Sequence, residues 1–289
     1  MKQVAFVLVL ALSAAPASLL GQTYSSSSSL IAAEPITDGG DGRTVSSNPV
    51  ASAPAGPFSR LAFGAGISPL GIGLQVATNI NQHFNVRGTG NFYNYSLNFT
   101  TQGFPATASL NLATAGAALD VYPFHAGFRL SPGVLFYNQN QLSASSTVAG
   151  GTSFTLNNQT FYSANANSAT GATPVNATGA LNLNSTKPAF TMTTGWGNMI
   201  PRKNGHWSVP FELGAAFTGA PALGLSLTGS ACADQAQTNC TNVASTTNPI
   251  AIQIQSDLAA QVTKWNSDLN PLKVYPIISV GLAYSFHLR

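Results

Sequence analysis

The sequence predicts an all-β protein, an eight-stranded antiparallel up-and-down transmembrane β-barrel with one amphipathic helix before the last strand. Three observations support this fold class. Apolar residues recur at every second position in eight segments, which is the period of a strand with one apolar face. Short and long connectors alternate between most of these segments, as in membrane barrels. Only 7% of the residues are charged, against about 25% in soluble domains.

The scarcity of charge bears on what surrounds the outer surface. Hydrophobic residues make up 44% of the chain, so its polar surface must be built from Asn, Gln, Ser and Thr. A soluble protein normally uses charge to stay dispersed. The net charge of +3 comes from 11 basic and 8 acidic residues spread along the chain. No basic cluster indicates a nucleic-acid partner.

The first residues have the pattern of a cleaved secretory signal peptide, predicted over 1–22. Lys2 precedes an apolar run at positions 4–12, and small residues follow it. The run is too short and wrongly flanked for a spanning helix.

Residues 23–59 are rich in Ser, Ala, Pro and Gly. They bury too little apolar surface to fold, which predicts a flexible linker.

Eight strands are predicted within 60–289, the segment assigned to the barrel. Six alternate in a single phase, at 61–67, 72–80, 128–136, 190–196, 207–217 and 274–288. Two others, at 84–97 and 110–121, change phase midway, which predicts a β-bulge in each. The opposite faces carry Gly, Ser, Thr and Ala, which suit a narrow, filled barrel interior. A soluble sandwich also alternates, but its polar face would normally carry Lys and Glu.

The connectors give the predicted barrel two different ends. The short connectors are 79–84, 122–128 and 199–207, and the longer ones are about 99–107, 141–186 and 219–273. Tight turns face the periplasm and long loops face outside in such barrels. We expect 141–186 to be disordered or to form a β extension above the membrane. Interface aromatics are expected near the short turns, namely Phe84, Phe128, Trp207, Tyr284 and Phe286.

Three stretches carry a resemblance to a known family, GIGLQVATNINQHFNVRGTGNFYNYS, LDVYPFHAGFRLSPGVLFYNQN and KVYPIISVGLAYSF. Over about 60–140 and 187–289 the chain resembles small bacterial outer-membrane β-barrel proteins of the OmpA/OmpX type. The resemblance implies a Gram-negative outer membrane, contact with its lipid, and an assembly machinery that reads a terminal Phe. Tyr284 and Phe286 fit that signal, whereas His287, Leu288 and Arg289 depart from it.

Four charged residues are predicted to face the barrel interior near the short turns: Arg87, Asp120, Arg129 and Glu212. An isolated charge in a closed interior is costly. We therefore expect them to form an ion-pair network that plugs the lumen. The alternative is a gate or a narrow conduction path, although an eight-stranded barrel has little room beyond its side chains.

Few other residues indicate chemistry. Cys232 and Cys240 are expected to form a loop disulfide in an exported chain. The four histidines have no second ligand at useful spacing, so no metal or cofactor is expected. No nucleophile–base pair or G-x-S-x-G motif is present.

The sequence thus favours a structural or surface-interaction role with an extracellular partner bound by the loops. A narrow channel or small-ligand transporter is the alternative, and an outer-leaflet lipid-modifying enzyme is disfavoured.

A helix is predicted over 252–270. Apolar residues there follow helical spacing, at Leu258, Val262, Trp265, Leu269 and, beyond the end, Leu272. Ser256 and Asp257 are read as its start signals and Pro271 as its stop. The helix is expected to cap the outer mouth, plug the pore or rest on the membrane interface.

Overall fold

The computed structural model of the chain describes residues 56–101, 104–124, 127–184, 187–201 and 205–288. The predicted signal peptide lies outside the described residues. So does the predicted linker, except for residues 56–59.

Sixteen strands and one helix follow one another in the described residues. They are β1 (Arg60–Ser68), β2 (Gly71–Asn79), β3 (Phe84–Thr101), β4 (Phe104–Val121), β5 (Phe128–Asn138), β6 (Gln141–Thr147), β7 (Ser153–Leu156), β8 (Gln159–Ser163), β9 (Asn176–Asn182), β10 (Ala189–Trp196), β11 (Trp207–Ser208), β12 (Phe211–Phe217), β13 (Ala222–Thr228), β14 (Ser230–Cys232), β15 (Cys240–Asn242), α1 (Pro249–Leu269) and β16 (Val274–His287). This confirms the predicted all-β class with one helix before the last strand.

Eight of these strands close into a ring within a twelve-stranded sheet. The order around the ring is β1, β2, β3, β4, β5, β10, β12 and β16, and β16 pairs back onto β1, with every pair antiparallel. The first predicted hairpin, 60–80, forms two strands separated by Pro69 and Leu70. Because every strand of the ring has two neighbours, the ring itself has no open edge.

The two faces of the ring differ in chemistry, since successive side chains of a strand point to opposite sides. On β1 the exposed residues are Phe63, Ala65 and Ile67, whereas Ala62 is buried. Leu74 on β2 is 56% exposed and Phe190 on β10 is 67% exposed. Large apolar side chains therefore cover the outside of the ring, and most of the side chains that line its interior are small or polar.

Strands β3 and β4 extend well beyond the ring. Each has 18 residues, and they pair without interruption from Phe84↔Val121 to Thr101↔Phe104. The prediction of a longer connector at about 99–107 is therefore wrong. The prediction of bulges within 84–97 and 110–121 is also wrong for the pairing of β3 with β4, which keeps one register. The one shift of register involving β4 lies in its pairing with β5, between Ala115 and Gly116.

The apparent phase change has a physical cause. In the part of β3 that belongs to the ring, the apolar side faces outward and carries Val86 and Phe92. Beyond the ring the apolar residues lie on the opposite side, at Tyr93, Tyr95 and Leu97. The backbone keeps its register while the surroundings of its two faces change.

The strands outside the ring form a second unit, which we call the lobe. Its larger sheet comprises the upper halves of β3 and β4 with β6, β9 and β13, and its smaller sheet comprises β7, β8, β14 and β15. Leu156, Phe161, Val175, Val243 and Ile254 form part of its buried core. The predicted long loops 141–186 and 219–273 therefore contain strands and the helix. For 141–186 the β extension is the alternative that the structure adopts.

Helix α1 belongs to the lobe. The Asn248 side chain caps it by accepting a hydrogen bond from the Ile250 amide, 2.9 Å long, and Pro249 follows in the first turn. Ser256 and Asp257 lie inside the helix, so their prediction as start signals is wrong. An Asn-Pro pair is a strong start because Asn caps the first amides and Pro has none to satisfy.

The helix packs onto the lobe through one face. Ala251 and Ile254 are buried, and Leu258 packs against the lobe core. The helix contacts β13, β7 and β15, so it does not plug the lumen of the ring. No helix in the described ranges is long and apolar enough to cross a membrane.

Candidate functional site

The four predicted lumen charges meet in one buried cluster. Arg87 Nη2 lies 3.0 Å from Asp120 Oδ1 and 2.8 Å from Glu212 Oε1, and Arg129 Nη2 lies 3.6 Å from Glu212 Oε2. Asp120 is 0% exposed and Arg129 is 1% exposed. These residues come from four different strands, β3, β4, β5 and β12, at inward positions close to the short-turn end of the ring.

Small residues make room for the long side chains of this cluster. Arg87 pairs across the ladder with Ala118, and Arg129 with Gly195. A side chain at Gly195 would meet the Phe211 carbonyl and approach Arg129 Nε to 3.3 Å. Only glycine therefore fits at this position, next to the Arg129 side chain.

Hydroxyl groups donate further hydrogen bonds to the two carboxylates of the cluster. Ser131 Oγ donates to Asp120 Oδ1 at 2.7 Å, and Thr193 Oγ1 and Ser279 Oγ both donate to Glu212. Two guanidinium groups and two carboxylates balance, and charge-assisted hydrogen bonds offset the cost of removing them from water. The cluster is an internal cross-brace of the ring.

The segment after β10 folds into the short-turn end of the ring, and we call it the floor (Asn198, Met199 and Ile200). Met199 is 0% exposed and packs with Ile200 against the small wall residues Ala62 and Ala283. Asn198 Oδ1 accepts hydrogen bonds from Asn85 Nδ2 at 3.0 Å, from the Tyr122 hydroxyl at 2.9 Å and from the Ile200 amide at 3.0 Å. The floor closes this end with apolar side chains.

A second apolar layer lies within the ring towards its other end. Leu70, Leu135, Ala189, Ala216 and Ile277 are buried together, with Tyr275 packed against them. The Tyr275 hydroxyl donates to the Pro69 carbonyl at 2.8 Å. Three layers of side chains thus lie within the ring, apolar towards both ends and charged between.

The predicted interface aromatics lie on the outside of the ring near its short turns. The rings of Trp207 and Tyr284 have centroids 4.8 Å apart, as do those of Tyr284 and Phe286. Phe128 packs edge-on against Trp196 at 5.0 Å. Phe84 begins β3 at the same end.

The two cysteines lie in the smaller sheet of the lobe, outside the ring. Cys232 and Cys240 are joined by a disulfide bond and pair directly in the β14–β15 hairpin. In the same hairpin, hydrogen bonds from the Thr238 hydroxyl and amide lower the pKa of the Asp234 carboxyl below its ordinary value.

The described histidines, His83, His206 and His287, give no ligand set. His206 and His287 come together at the short-turn end, with ring centroids 5.9 Å apart. Among the described residues, no three His, Cys, Asp or Glu side chains are grouped in a way that could hold a metal ion.

The floor is not predictable from sequence, because 199–207 has only the length and composition of a short turn. A local sign of it is an apolar pair, Met199-Ile200, directly after Asn198 in a connector that should be polar. The same holds for the apolar layer around Ile277, whose inward side chain breaks the polar face of β16.

Comparison with protein-family models and with curated proteins finds no match. Among solved structures, the chain is similar to Acinetobacter baumannii CarO (19% identity, TM-score 0.45, 80% of this chain and 98% of that one). It is also similar to CarO2 of the same organism (17% identity, TM-score 0.48, 78% and 98%). A major outer membrane protein from Thermus thermophilus matches at 11% identity and a TM-score of 0.27, over 78% of this chain and 98% of that one. These structural neighbours are bacterial outer-membrane proteins.

Proposed function

We propose that this chain is an eight-stranded outer-membrane β-barrel protein with a closed lumen and a structural or surface-interaction role. The ring crosses the bilayer, and the lobe stands outside the cell. The observation that carries the proposal is the distribution of side chains on the ring. Large apolar residues such as Leu74, Phe190 and Leu282 are exposed on its outside, while its charges are buried inside.

An apolar surface that continues around a whole ring is a liability in water. In hydrocarbon it is the favoured surface, and a closed ring leaves no backbone group unpaired there. From Val274 to Phe286 the apolar side of β16 extends about 40 Å at ~3.3 Å per residue, or about 30 Å at a tilt near 40°. That height matches the ~30 Å hydrocarbon core of a bilayer.

The upper limit of the apolar belt supports the same placement. On the outer side of β3 and β4, Phe92 and Ala113 form one pair of the ladder. The next outward pair is Asn94 and Asn111. The outer surface thus changes from apolar to polar within one step, as expected where strands leave the hydrocarbon.

The proposed partners follow from these surfaces. Outer-membrane lipid contacts the belt, and the assembly machinery reads the final strand through Tyr284 and Phe286. An extracellular partner contacts the lobe. The proposal assigns no catalysis, no cofactor and no nucleic acid, and unchanged lipid profiles on deletion of the protein would agree with that.

Membrane insertion is tested by fractionation and by heat-modifiable gel migration of detergent extracts. We expect the protein in the outer-membrane fraction, with a faster-migrating form that is lost on boiling. Protease treatment of whole cells should cleave within the lobe at 231–248. Recovery of folded protein in the soluble fraction without detergent would overturn the proposal.

The closed lumen is tested by conductance in planar bilayers. We expect no stepwise current from the native protein, because three layers of side chains lie within the ring. A reproducible open state that Glu212→Gln or Arg129→Gln abolishes would establish the alternative, a narrow channel, in place of the closed barrel.

A further inference from the structure

One side of the larger lobe sheet is built almost entirely from uncharged polar residues, and we call it the polar face. The register of β3, β4, β6, β9 and β13 aligns its residues in rows across the five strands. The central row consists of Ser96, Ser109, Ser143, Ala180 and Gly224. No charged or aromatic side chain interrupts it.

The next row towards the tip of the lobe has the same chemistry. It consists of Asn98, Thr107, Ser145, Thr178 and Ser226. Soluble sheets usually place Lys, Glu or Arg on their solvent side, so a face without any of them calls for an explanation beyond solubility.

The polar face is concave in two adjoining places. Open grooves of about 400 Å³ and 550 Å³ lie along it and share Thr107 and Ser145 as lining residues. Ala180 and Gly224 line the larger groove, where their small size exposes the backbone to a bound molecule. The grooves together form a shallow trough across the strands.

Many side chains of the polar face are held in place by one another. Ser96 Oγ and Ser109 Oγ lie 2.8 Å apart, Thr107 Oγ1 donates to Asn98 Oδ1 at 2.8 Å, and Gln141 Nε2 donates to Asn182 Oδ1 at 2.8 Å. Each group retains further donor or acceptor capacity. The array is therefore oriented before any ligand arrives, which reduces the entropic cost of binding.

The chemistry of the trough selects among ligand classes. Anionic ligands are held most strongly by Arg, Lys or a metal ion, and the trough has no Arg or Lys among its lining residues. Phe99, Pro105 and Leu225 also line the grooves. A peptide anchored by apolar or aromatic side chains, however, needs enclosed apolar pockets rather than open grooves. Hydroxyls and amides that both donate and accept match the hydroxyl groups of uncharged sugars.

We propose that the polar face binds a neutral polysaccharide of the cell surface. The inference rests on the proposed function, since the polar face continues the lipid-facing side of β3 and β4 directly above the belt. Its lowest row, Asn94, Asn111, Gln141, Asn182 and Ala222, follows immediately on the apolar pair Phe92–Ala113. Whatever lies on the outer leaflet meets this face first.

Binding is measured with the full chain in detergent micelles against immobilised dextran, mannan and galactan, with dextran sulfate as the anionic comparator. We expect binding to at least one neutral polysaccharide and none above background to dextran sulfate. The double variant Ser145→Lys/Ser226→Lys places two cations in the trough. It should weaken binding by about tenfold or more, the loss of one or two net hydrogen bonds.

The matched control, Thr160→Lys/Ser168→Lys, adds the same charge to exposed positions of the lobe outside the trough and should bind like the native protein. All variants must keep heat-modifiable migration. Three results would overturn the inference: no binding to any neutral polysaccharide, binding only to dextran sulfate, or equal binding by the trough variant. Binding that persists in a protein failing to insert into membranes would count against the proposed function alone.

Discussion

The Arg87 guanidinium spans the ring to the Glu212 carboxylate through two parallel hydrogen bonds, Nη1 to Oε2 at 2.9 Å and Nη2 to Oε1 at 2.8 Å. Their strands, β3 and β12, are separated by three strands in either direction around the ring. The pair therefore ties opposite walls together. Two-point bonds between Arg and a carboxylate also fix orientation, which makes Arg87 the centre of the cross-brace.

Replacement of Arg87 by Met should destabilise the protein by about 3–5 kcal/mol, because Asp120 and Glu212 lose their shared cation while both stay buried. The measurement is urea unfolding in detergent, followed by the loss of the heat-modifiable form. Lys264→Met, on the exposed side of α1, is the control and should unfold like the native protein. Equal stability of Arg87→Met and the control would show that the brace contributes nothing.

Replacement of Met199 by Ala should cost about 2–5 kcal/mol, the usual penalty for emptying a fully packed site. The surrounding wall residues, Ala62, Ala77 and Ala283, are too small to fill the space. The charged layer remains intact, so conductance in planar bilayers should stay at baseline. Stepwise current from Met199→Ala would mean that the floor alone closes the lumen.

The residues that could be placed from sequence are those whose position follows from alternation. Glu212 occupies an inward position of a strand that keeps one phase, and Arg87 lies before the apparent phase change of its strand. Their convergence in a narrow ring was therefore predictable. Strand β6 was not, because its sequence QLSASST has a single large apolar residue, Leu142. A strand whose two faces are both small or polar looks like a loop.

Other misses have equally local reasons. The Asn248-Pro249 start of α1 precedes the apolar residues with helical spacing, so the pattern predicts a start at Ser256 and Asp257 instead. The floor was missed because two apolar residues in a turn have no period. Both features depend on contacts with distant strands, which no local pattern records.

Replacement of Leu74 by Arg tests whether the outside of the ring meets lipid. Leu74 is exposed near the middle of β2. A cation there should destabilise a membrane-inserted barrel by about 2–4 kcal/mol, measured as the urea midpoint in lipid vesicles. Thr160→Arg on the lobe is the control and should have no effect. If Leu74→Arg is neutral as well, the belt does not face hydrocarbon.

Replacement of Asn266 by Leu should loosen the outer edge of the lobe sheet. The Asn266 side chain acts like a neighbouring strand towards β13. Its Oδ1 accepts from the Leu223 amide at 2.7 Å, and its Nδ2 donates to the Leu223 carbonyl at 3.0 Å. Loss of both bonds, about 1–2 kcal/mol, should speed exchange of the Leu223 amide hydrogen about 5–30-fold. Ser267→Leu, at the next and exposed position, should leave that rate unchanged.

Titration of Asp234 reports on the order of the disulfide hairpin. Hydrogen bonds from Thr238 favour the charged carboxylate, so the pKa of Asp234 lies below its ordinary value. Because the folded pKa is lowered, the contribution of these bonds to hairpin stability is complete above the ordinary pKa of Asp. It is lost as the pH falls through the lowered value.

The measurement is the carboxyl carbon shift of Asp234 by NMR in detergent between about pH 2 and 6. Thr238→Val removes the hydroxyl donor and should raise the pKa of Asp234 towards its ordinary value, whereas the amide of residue 238 keeps part of the effect. Thr241→Val, in the same hairpin and with no hydrogen bond to Asp234 in the described structure, should leave the titration unchanged. An ordinary pKa in the native protein would mean that the turn between Cys232 and Cys240 does not hold the Thr238 hydroxyl and amide against the carboxylate.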